Sequence, residues 1–302
     1  MQKRRTHQPA EAQPCATAAG PPGEEKVKSD PQRQAWTFSS SGWLFVYHFG
    51  VVRALKELGK TKEVYAIGSS GGACAASYVH LDVDIDATVE YVLGCAKKAR
   101  TSFRNALAIP EYVRGALERF APDNITEALH GNFEVSVTKL PWLGNVRIKE
   151  FATKDALVQT ILASSCIMPG IPVYLDDHKV WGIDGGFSDF QILKGVWLGR
   201  AFFSFHLSDA ISVCPFYFSR ADITPSEYVP FWWAFYPPPT EKLRKVYHLG
   251  YRDALTWLAE NNQIPYGIMS GEDQGAMRTQ SFSRMWQARD LDIAAPTGRV
   301  GF

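Results

Sequence analysis

The chain has 302 residues, 46% of them hydrophobic, so it is long enough to bury one large core, or one core with an appendage. Lysine and arginine together number 32 against 31 acidic residues, and this net charge of +1 argues against a nucleic-acid-binding protein. The five cysteines lack metal-site spacing, and no apolar run reaches the about 18 residues of a membrane helix, so we expect a cytoplasmic protein without metal or cofactor.

Residues 1–34 are rich in proline, alanine, glutamine and charge and show no apolar period, so we expect this segment to be disordered. The folded domain is expected over residues 35–262, beginning with a strand at 35–38. A loop of small residues at 39–42 follows, and then a helix in which Tyr47, Val51 and Leu55 recur at helical spacing. Such a loop presents free N–H groups to an anion, and without the Lys-Ser/Thr pair of a phosphate loop it suits an oxyanion hole better.

The next strand, at 64–67, leads into Gly-Ser-Ser-Gly-Gly at 68–72, which matches G-x-S-x-G, and then into a helix of small residues. Ser70 is predicted at the apex of a sharp strand-to-helix turn, where the helix N-terminus favours negative charge. Gly68 and Gly72 are expected where a Cβ would clash with the crossing strand and helix. The motif alone is a weak signal, but this placement favours a nucleophile.

Helices and strands continue to alternate along the chain. Helices are predicted from Asp86, from Pro110 and over residues 154–166, and strands over 133–137, 147–151 and 210–216. This alternation indicates a three-layer α/β/α sandwich with a mostly parallel central sheet.

An apolar stretch at 179–183 ends in Asp184, Gly185 and Gly186. An acid that follows a strand and precedes two glycines is a carboxylate on a tight turn at the sheet edge, where open α/β sheets place their sites. Taken alone, the same three residues are more typical of an Asp-Gly β-turn. The presence of Ser70 in the same chain reverses that preference.

Four separate motifs together resemble the patatin-like phospholipases over roughly residues 36–261. They are the segment 38–50, the elbow at 68–72, the segment 164–169 and the turn at 184–186. The pair Tyr47-His48 is most similar to the branch that contains the adipose triglyceride lipases and the plant oil-body lipases.

The resemblance implies an α/β/α fold and a Ser–Asp pair without histidine. Carried over by motif, Ser70 is the nucleophile, Asp184 the base, and backbone N–H groups around Ser40, Ser41 and Gly42 the oxyanion hole. It also implies an acylglycerol or phospholipid substrate and peripheral association with lipid droplets or membranes.

Two features depart from that family. Its first loop usually reads G-x-G-x-x-G, whereas here Ser40 and Phe45 replace the outer glycines and Gly42 remains. Serine can serve because an oxyanion hole uses backbone N–H groups, although a positive φ at Ser40 would be costly. We expect Phe45 to narrow the loop or to turn its ring outward. The second departure is the long stretch around 195–206, which is either a lipid-contacting insertion or an error in the predicted gene.

Two alternatives to a Ser–Asp lipase stay open. An α/β-hydrolase would complete a triad with His206 or His248, because the order Ser…Asp…His fits. A lipid-droplet or membrane scaffold would keep the fold with an oxyanion loop that no longer supports turnover. His48 is expected to be a packed, hydrogen-bonded residue in either case.

An aromatic stretch lies between prolines at residues 230–239, and five of the six residues from 231 to 236 are aromatic. Proline on both sides excludes a continuous helix or a central strand. A core could absorb these rings, and a loop at a lipid surface would also use them, so both interpretations are kept. Residues 263–302 show weak periodicity, and we assign this C-terminal extension no function.

Overall fold

The structure is a computed structural model that describes residues 34–166, 170–189 and 210–263. The disorder expected for the N-terminal segment, the stretch around 195–206, His206 and nearly all of the C-terminal extension therefore lie outside the described residues. The strand predicted at 35–38 begins one residue earlier, at Gln34.

Seven strands form one sheet. They are Gln34–Phe38 (β1), Val64–Ser69 (β2), Phe133–Leu140 (β3), Gly144–Ile148 (β4), Val173–Leu175 (β5), Val180–Ile183 (β6) and Ile211–Val213 (β7). β7, β1, β2 and β3 are parallel neighbours, whereas β4 and β6 run antiparallel to β3, and β5 runs antiparallel to β6. Five strands therefore share one direction, and the predicted mostly parallel α/β sheet is confirmed.

Two strands share one side of β3 and end facing each other. Ser136 pairs with Ser69 of β2 on one side and with β4 on the other. Thr138 pairs with Ile183 of β6 and again with β4. Because β4 occupies a single side of β3, β2 and β6 must both lie on the opposite side. The carboxyl end of β2 consequently meets the carboxyl end of β6 beside the middle of β3.

Eight helices accompany the sheet within the described residues. They are Phe45–Glu57 (α1), Gly71–Ser77 (α2), Ile85–Ala99 (α3), Phe103–Leu107 (α4), Ile109–Phe120 (α5), Thr126–Leu129 (α6), Lys154–Ser164 (α7) and Thr240–Glu260 (α8). The sequence predicted α1, α2, α3, α5 and α7, but not the 21-residue α8. In the described part of the chain, no helix is both long and apolar enough to cross a membrane.

Helices α1 and α8 cross with their backbones in contact. A Cβ on Gly50 would lie 2.1 Å from the Tyr247 carbonyl oxygen, and a Cβ on Gly250 would lie 2.1 Å from that of Tyr47. This contact packs α8 against α1, and ten of the thirteen residues of α1 are buried. α1 therefore forms a rigid support directly behind the small-residue loop that precedes it.

The two faces of the sheet differ in character. One face carries apolar side chains such as Trp36, Phe38 and Val137, and it packs against helices including α7 and α8. The opposite face carries polar side chains on β3 and β4, among them Thr138 and Arg147. This polar face supports the carboxylate turn described below.

Candidate active site

Ser70 occupies a strained turn between β2 and α2. Its backbone angles are φ 54° and ψ −131°, outside the regions that a serine ordinarily adopts, at a cost of about 1–3 kcal/mol. A Cβ on Gly68 would lie 2.3 Å from the Ala73 Cα, and one on Gly72 would lie 2.4 Å from the Phe38 oxygen. The two glycines thus stand where the sequence predicted a clash, and they allow the strand and helix to cross closely.

The elbow is tied to β3 through a second serine. Ser164, at the end of α7, accepts a hydrogen bond of 2.8 Å from the backbone N–H of Ser70. Its own hydroxyl donates to the Ser136 carbonyl oxygen at 2.6 Å. The sequence analysis quoted the segment containing Ser164 only as part of a resemblance and gave it no role. Its position at the carboxyl end of a helix was the available signal.

Asp184 lies directly after β6, at the start of the short 3-10 helix Gly185–Phe187, and it is 5% exposed. Its Oδ1 accepts hydrogen bonds from the Gly186 N–H at 2.8 Å and from the Ser40 hydroxyl at 3.1 Å. The Ser70 side chain lies near enough to lower the pKa of this carboxyl. The structure therefore brings Ser70, Ser40 and Asp184 into one cluster of side chains.

The sequence placed Ser70 and Asp184 after two different strands of a mostly parallel sheet. The structure shows that β6 runs antiparallel to β3 and that its end faces the end of β2 along β3. The juxtaposition depends on β3 extending past Ser69, which leaves its outer half free to pair with β6.

The polar face of the sheet holds the Asp184 backbone. The Thr138 hydroxyl donates to the Asp184 carbonyl oxygen at 2.7 Å and accepts from the Ser188 N–H at 3.1 Å. Asn145 donates to the hydroxyls of Ser136 and Ser188 at 2.7 and 2.9 Å. Neither Thr138 nor Asn145 was singled out from the sequence, because both look like ordinary polar positions of an alternating strand.

The small-residue loop lies against the same cluster. Gly42 has a φ of 51°. Ser40 is not among the residues with positive φ, so the backbone strain expected for a serine with positive φ does not arise. Of the two alternatives for Phe45, the outward ring is wrong, because the ring is buried against Phe49 with the two centroids 5.4 Å apart. The narrowing of the loop stays a prediction. Among the described contacts, the backbone N–H groups of Ser40, Ser41 and Gly42 donate no hydrogen bond, and these donors remain available to an anion.

The Asp184 carboxyl has a perturbed acidity. Burial is the largest cause and raises its pKa above the ordinary value, because the ionised form loses water. Ser70, Gly186 and Ser40 stabilise the ionised form and lower the pKa in part. The carboxylate is therefore a stronger base than a solvated aspartate.

Within the described residues, no histidine is among the groups that contact the Asp184 carboxyl. His48 is fully buried, and its Nε2 donates to the Ser39 carbonyl oxygen at 3.0 Å. Burial lowers the pKa of His48 to about 4, so the ring is neutral at physiological pH and supports the loop, as a packed residue should. His248 lies on α8, with its ring 5.1 Å from that of Tyr247. In the described residues, no group of side chains could hold a metal ion.

The aromatic stretch packs directly on the loop. Its residues Phe231–Ala234 form a 3-10 helix, and the Ala234 carbonyl oxygen occupies the space that a Cβ on Gly42 would need. Phe231 and Trp232 are 54% and 51% exposed, whereas Trp233 packs against the core. Trp233 therefore fits the core interpretation, Phe231 and Trp232 lie at the surface, and contact with lipid stays a prediction.

Comparisons with known proteins agree with the motifs. A family model described as "Patatin-like phospholipase" matches residues 37–196. The "Omega-hydroxyceramide transacylase" of Homo sapiens is 27% identical over 273 residues, covering 80% of this chain and 49% of that protein. The "Patatin-like phospholipase domain-containing protein 2" of Mus musculus is 27% identical over 271 residues, covering 78% of this chain and 52% of that protein. The chain spans about half the length of these two relatives.

Two further matches differ in coverage. The "Patatin-like phospholipase domain-containing protein 4" of Homo sapiens is 24% identical over 258 residues, covering 75% of this chain and 96% of that protein. Among solved structures, VipD from Legionella pneumophila superposes with a TM-score of 0.40 at 13% identity, covering 77% of this chain and 68% of that one.

Proposed function

The chain belongs to the patatin-like phospholipase family, and on that basis we propose that it is a lipid acyl ester hydrolase in which Ser70 and Asp184 form the catalytic pair. The observation that carries the proposal is the placement of Ser70, held at a strained turn, beside the buried Asp184 carboxyl, whose pKa the Ser70 side chain lowers. A serine hydroxyl becomes an effective nucleophile when an adjacent base takes its proton.

The proposed reaction begins when Ser70 Oγ bonds to the ester carbonyl carbon and its proton passes to Asp184. The carbonyl electron pair moves to oxygen, and the resulting oxyanion accepts hydrogen bonds from the free N–H groups of Ser40, Ser41 and Gly42. Loss of one such donor typically lowers a rate by about 10²–10³-fold. Collapse of the intermediate expels the alcohol, which takes the proton back from Asp184 and leaves an acyl group on Ser70.

The second half of the reaction releases the acyl group. Asp184 accepts a proton from water as the water oxygen attacks the acyl carbonyl, and the same N–H groups stabilise the second oxyanion. Collapse frees the fatty acid, and the proton held on Asp184 returns to Ser70 Oγ. Because burial raises the pKa of Asp184, proton transfer in each half is easier than with a solvated aspartate.

We further propose that the ester is a triacylglycerol or a phospholipid and that the protein works peripherally at lipid droplets or membranes in the cytoplasm. Support comes from the exposed Phe231 and Trp232, which lie beside Gly42 and hence beside the proposed oxyanion hole. Amphipathic aromatic rings favour the boundary between lipid and water. Assays with triacylglycerol, phosphatidylcholine and lysophospholipid would identify the preferred lipid class.

A serine-directed fluorophosphonate probe tests the catalytic pair. The wild-type protein should be labelled at Ser70 and should hydrolyse a short soluble ester, and Ser70→Ala should do neither. Asp184→Asn should lower hydrolysis by about 10³-fold or more, because the amide cannot accept the proton.

Two controls separate the alternatives. His206→Ala and His248→Ala should retain most hydrolysis if the pair acts without histidine. Loss of hydrolysis in either histidine variant with the fold intact would restore a triad. A wild-type protein that neither labels nor hydrolyses would be the scaffold.

A further inference from the structure

Large apolar side chains are exposed in several segments of the described residues. Fourteen such side chains occur, in segments that follow the carboxyl ends of β3 or β7, flank Asp184, form the β5–β6 hairpin, or pack near the Gly42–Leu44 turn. They are Phe103, Leu107, Trp142, Leu143, Ile171, Tyr174, Trp181, Phe187, Tyr217, Phe218, Tyr228, Phe231, Trp232 and Phe235. Ser70 itself follows the carboxyl end of β2.

The segments that pack near the Gly42–Leu44 turn are both aromatic and basic. Helix α4 and the turn Phe231–Ala234 pack on the same loop, because Trp43 donates to the Ala106 carbonyl oxygen at 2.8 Å while Ala234 abuts Gly42. The Tyr236 hydroxyl donates to the Arg100 carbonyl oxygen at 2.9 Å, which ties the end of α3, just before α4, to the residues that follow the turn. Phe103, which belongs to α4, is 63% exposed.

The charge of these segments is one-sided. Residues 91–110 contain Lys97, Lys98, Arg100 and Arg104 and no acidic residue, although the whole chain has a net charge of only +1. All four basic residues are exposed. Residues 228–239, which include the aromatic turn, contain no charged residue. Along the chain, Glu90 and Glu111 flank the first of these segments, and Glu227 and Glu241 flank the second. Glu90 and Glu227 are paired with arginines.

Basic and aromatic groups are also in direct contact here. The Arg100 guanidinium lies over the Tyr236 ring, 5.6 Å from its centroid, and the Lys242 ammonium lies 5.9 Å from the centroid of the Trp233 ring. Exposed rings flanked by basic side chains match the chemistry of an anionic phospholipid surface, where rings enter the headgroup region and cations meet phosphate or carboxylate. A neutral lipid surface would offer these basic side chains no anionic group to pair with.

We propose that this basic–aromatic surface, formed by Lys97, Lys98, Arg100, Phe103, Arg104, Leu107, Phe231, Trp232 and Phe235, docks the protein on phospholipid bilayers that carry anionic headgroups. The inference rests on the acyl hydrolase function proposed above, because docking there places the oxyanion loop and Ser70 next to the bilayer. Ester substrate would then reach Ser70 without crossing bulk water.

Vesicle co-sedimentation tests the surface. The wild-type protein is mixed with vesicles of phosphatidylcholine, with vesicles that also contain phosphatidylserine, and with triolein droplets coated by phosphatidylcholine. We expect strong binding only where phosphatidylserine is present, and weaker binding as salt concentration rises. The double variant Lys98→Gln, Arg104→Gln should lose about fivefold in affinity for each charge removed.

A matched charge control lies at the other end of the sheet. Lys60 and Lys62 precede the amino end of β2. The variant Lys60→Gln, Lys62→Gln therefore also removes two positive charges, but outside the basic–aromatic surface. This control should bind phosphatidylserine vesicles as the wild type does. Phe103→Ser, Trp232→Ser should also weaken binding, with circular dichroism and thermal melting confirming that the variant folds.

Three results would overturn the docking surface. They are equal wild-type binding to all three lipid preparations, unchanged binding of Lys98→Gln, Arg104→Gln, and an equal loss in the Lys60→Gln, Lys62→Gln control. The outcome is separable from the proposed chemistry, because Ser70→Ala should bind vesicles normally. Binding to anionic vesicles without hydrolysis would support the docking surface and contradict the proposed hydrolase function. Hydrolysis without binding to anionic vesicles would support the hydrolase function and contradict the docking surface.

Discussion

The Ser40 hydroxyl donates a hydrogen bond to Oδ1 of Asp184 at 3.1 Å, although the two residues are 144 positions apart in the chain. The same hydroxyl lies 2.9 Å from the Ser69 hydroxyl. Patatin-like phospholipases usually have glycine at this position, and glycine could make neither contact. Serine at position 40 thus gives the carboxylate a hydrogen-bond donor that glycine would lack.

Removing this donor should alter the pH dependence of hydrolysis. The Ser40 hydrogen bond lowers the pKa of Asp184, so in Ser40→Ala that pKa rises further above its ordinary value. Less of the carboxylate is then ionised at a given pH, and the acid limb of the kcat/KM profile should move to higher pH. We expect a fall of about tenfold near the limb, because hydrogen bonds to charged groups contribute about 1.5–3 kcal/mol. The profile is measured with a short soluble ester.

Ser39→Ala is the matched control for this change. Ser39 is the preceding residue, and its hydroxyl makes no hydrogen bond to Asp184. The control should keep the wild-type acid limb, and Ser40→Gly should behave as Ser40→Ala does. An unmoved limb in both Ser40 variants would show that the hydroxyl does not act on the carboxylate.

Asp184 should also lower the stability of the fold as pH rises. Its folded pKa is raised, so the folded state holds the proton more tightly than the unfolded state, whose pKa is near 3.8. The fold is therefore favoured below the unfolded pKa and loses stability as pH rises toward the folded pKa. Asp184→Asn removes this pH-dependent loss of stability. The free energy of unfolding of the variant minus that of the wild type should therefore increase as pH rises from the unfolded pKa toward the folded pKa.

Urea unfolding of the two proteins at a series of pH values gives this difference directly. Ser70→Ala provides an independent comparison, because loss of the Ser70 hydroxyl raises the pKa of Asp184 further and should widen the window. Parallel stability curves for wild type and Asp184→Asn would mean that the carboxyl titrates alike in both states. A gain in stability with a loss of hydrolysis would mark a residue kept for function rather than for folding.

The elements that the sequence predicted are those with a clear local period. Helix α1 and strand β2 are buried apolar runs with capping or turn residues at their ends, and both form with small shifts in their bounds. Helix α8 was missed because it follows three prolines and because charged residues dominate its start, at Glu241, Lys242, Arg244 and Lys245. Leu243, Tyr247, Ala254 and Leu258 do share a buried helical spacing that could have revealed it.

The candidate site divides in the same way. The elbow around Ser70 is a local motif, and its glycines are required by contacts within a few residues or with the adjacent strand. The approach of β6 to β2 depends instead on how far β3 extends and on which strands share its side. Such pairings join residues far apart in the chain, so Thr138 and the Ser40 side chain could not be assigned to the site from a single sequence.

Gly42 should tolerate no side chain. Its φ is 51°, and an added Cβ would lie 2.1 Å from the Ala234 carbonyl oxygen, well inside any van der Waals contact. Gly42→Ala must therefore push the Phe231–Ala234 turn away from the loop or move the loop itself, and either shift displaces the free N–H groups beside Ser70. We expect a loss of at least about 2 kcal/mol in the free energy of unfolding, and a fall in kcat that exceeds any change in KM.

Gly94→Ala is the control, because Gly94 is exposed within α3 and an added Cβ would meet nothing within 4 Å. That change should stabilise the protein by about 0.5–1 kcal/mol, since alanine restricts the unfolded chain more than glycine does. Urea unfolding and soluble-ester kinetics on both variants supply the measurements. Wild-type stability and turnover in Gly42→Ala would mean that the loop and the aromatic turn separate freely, and the oxyanion hole would then have to be sought elsewhere.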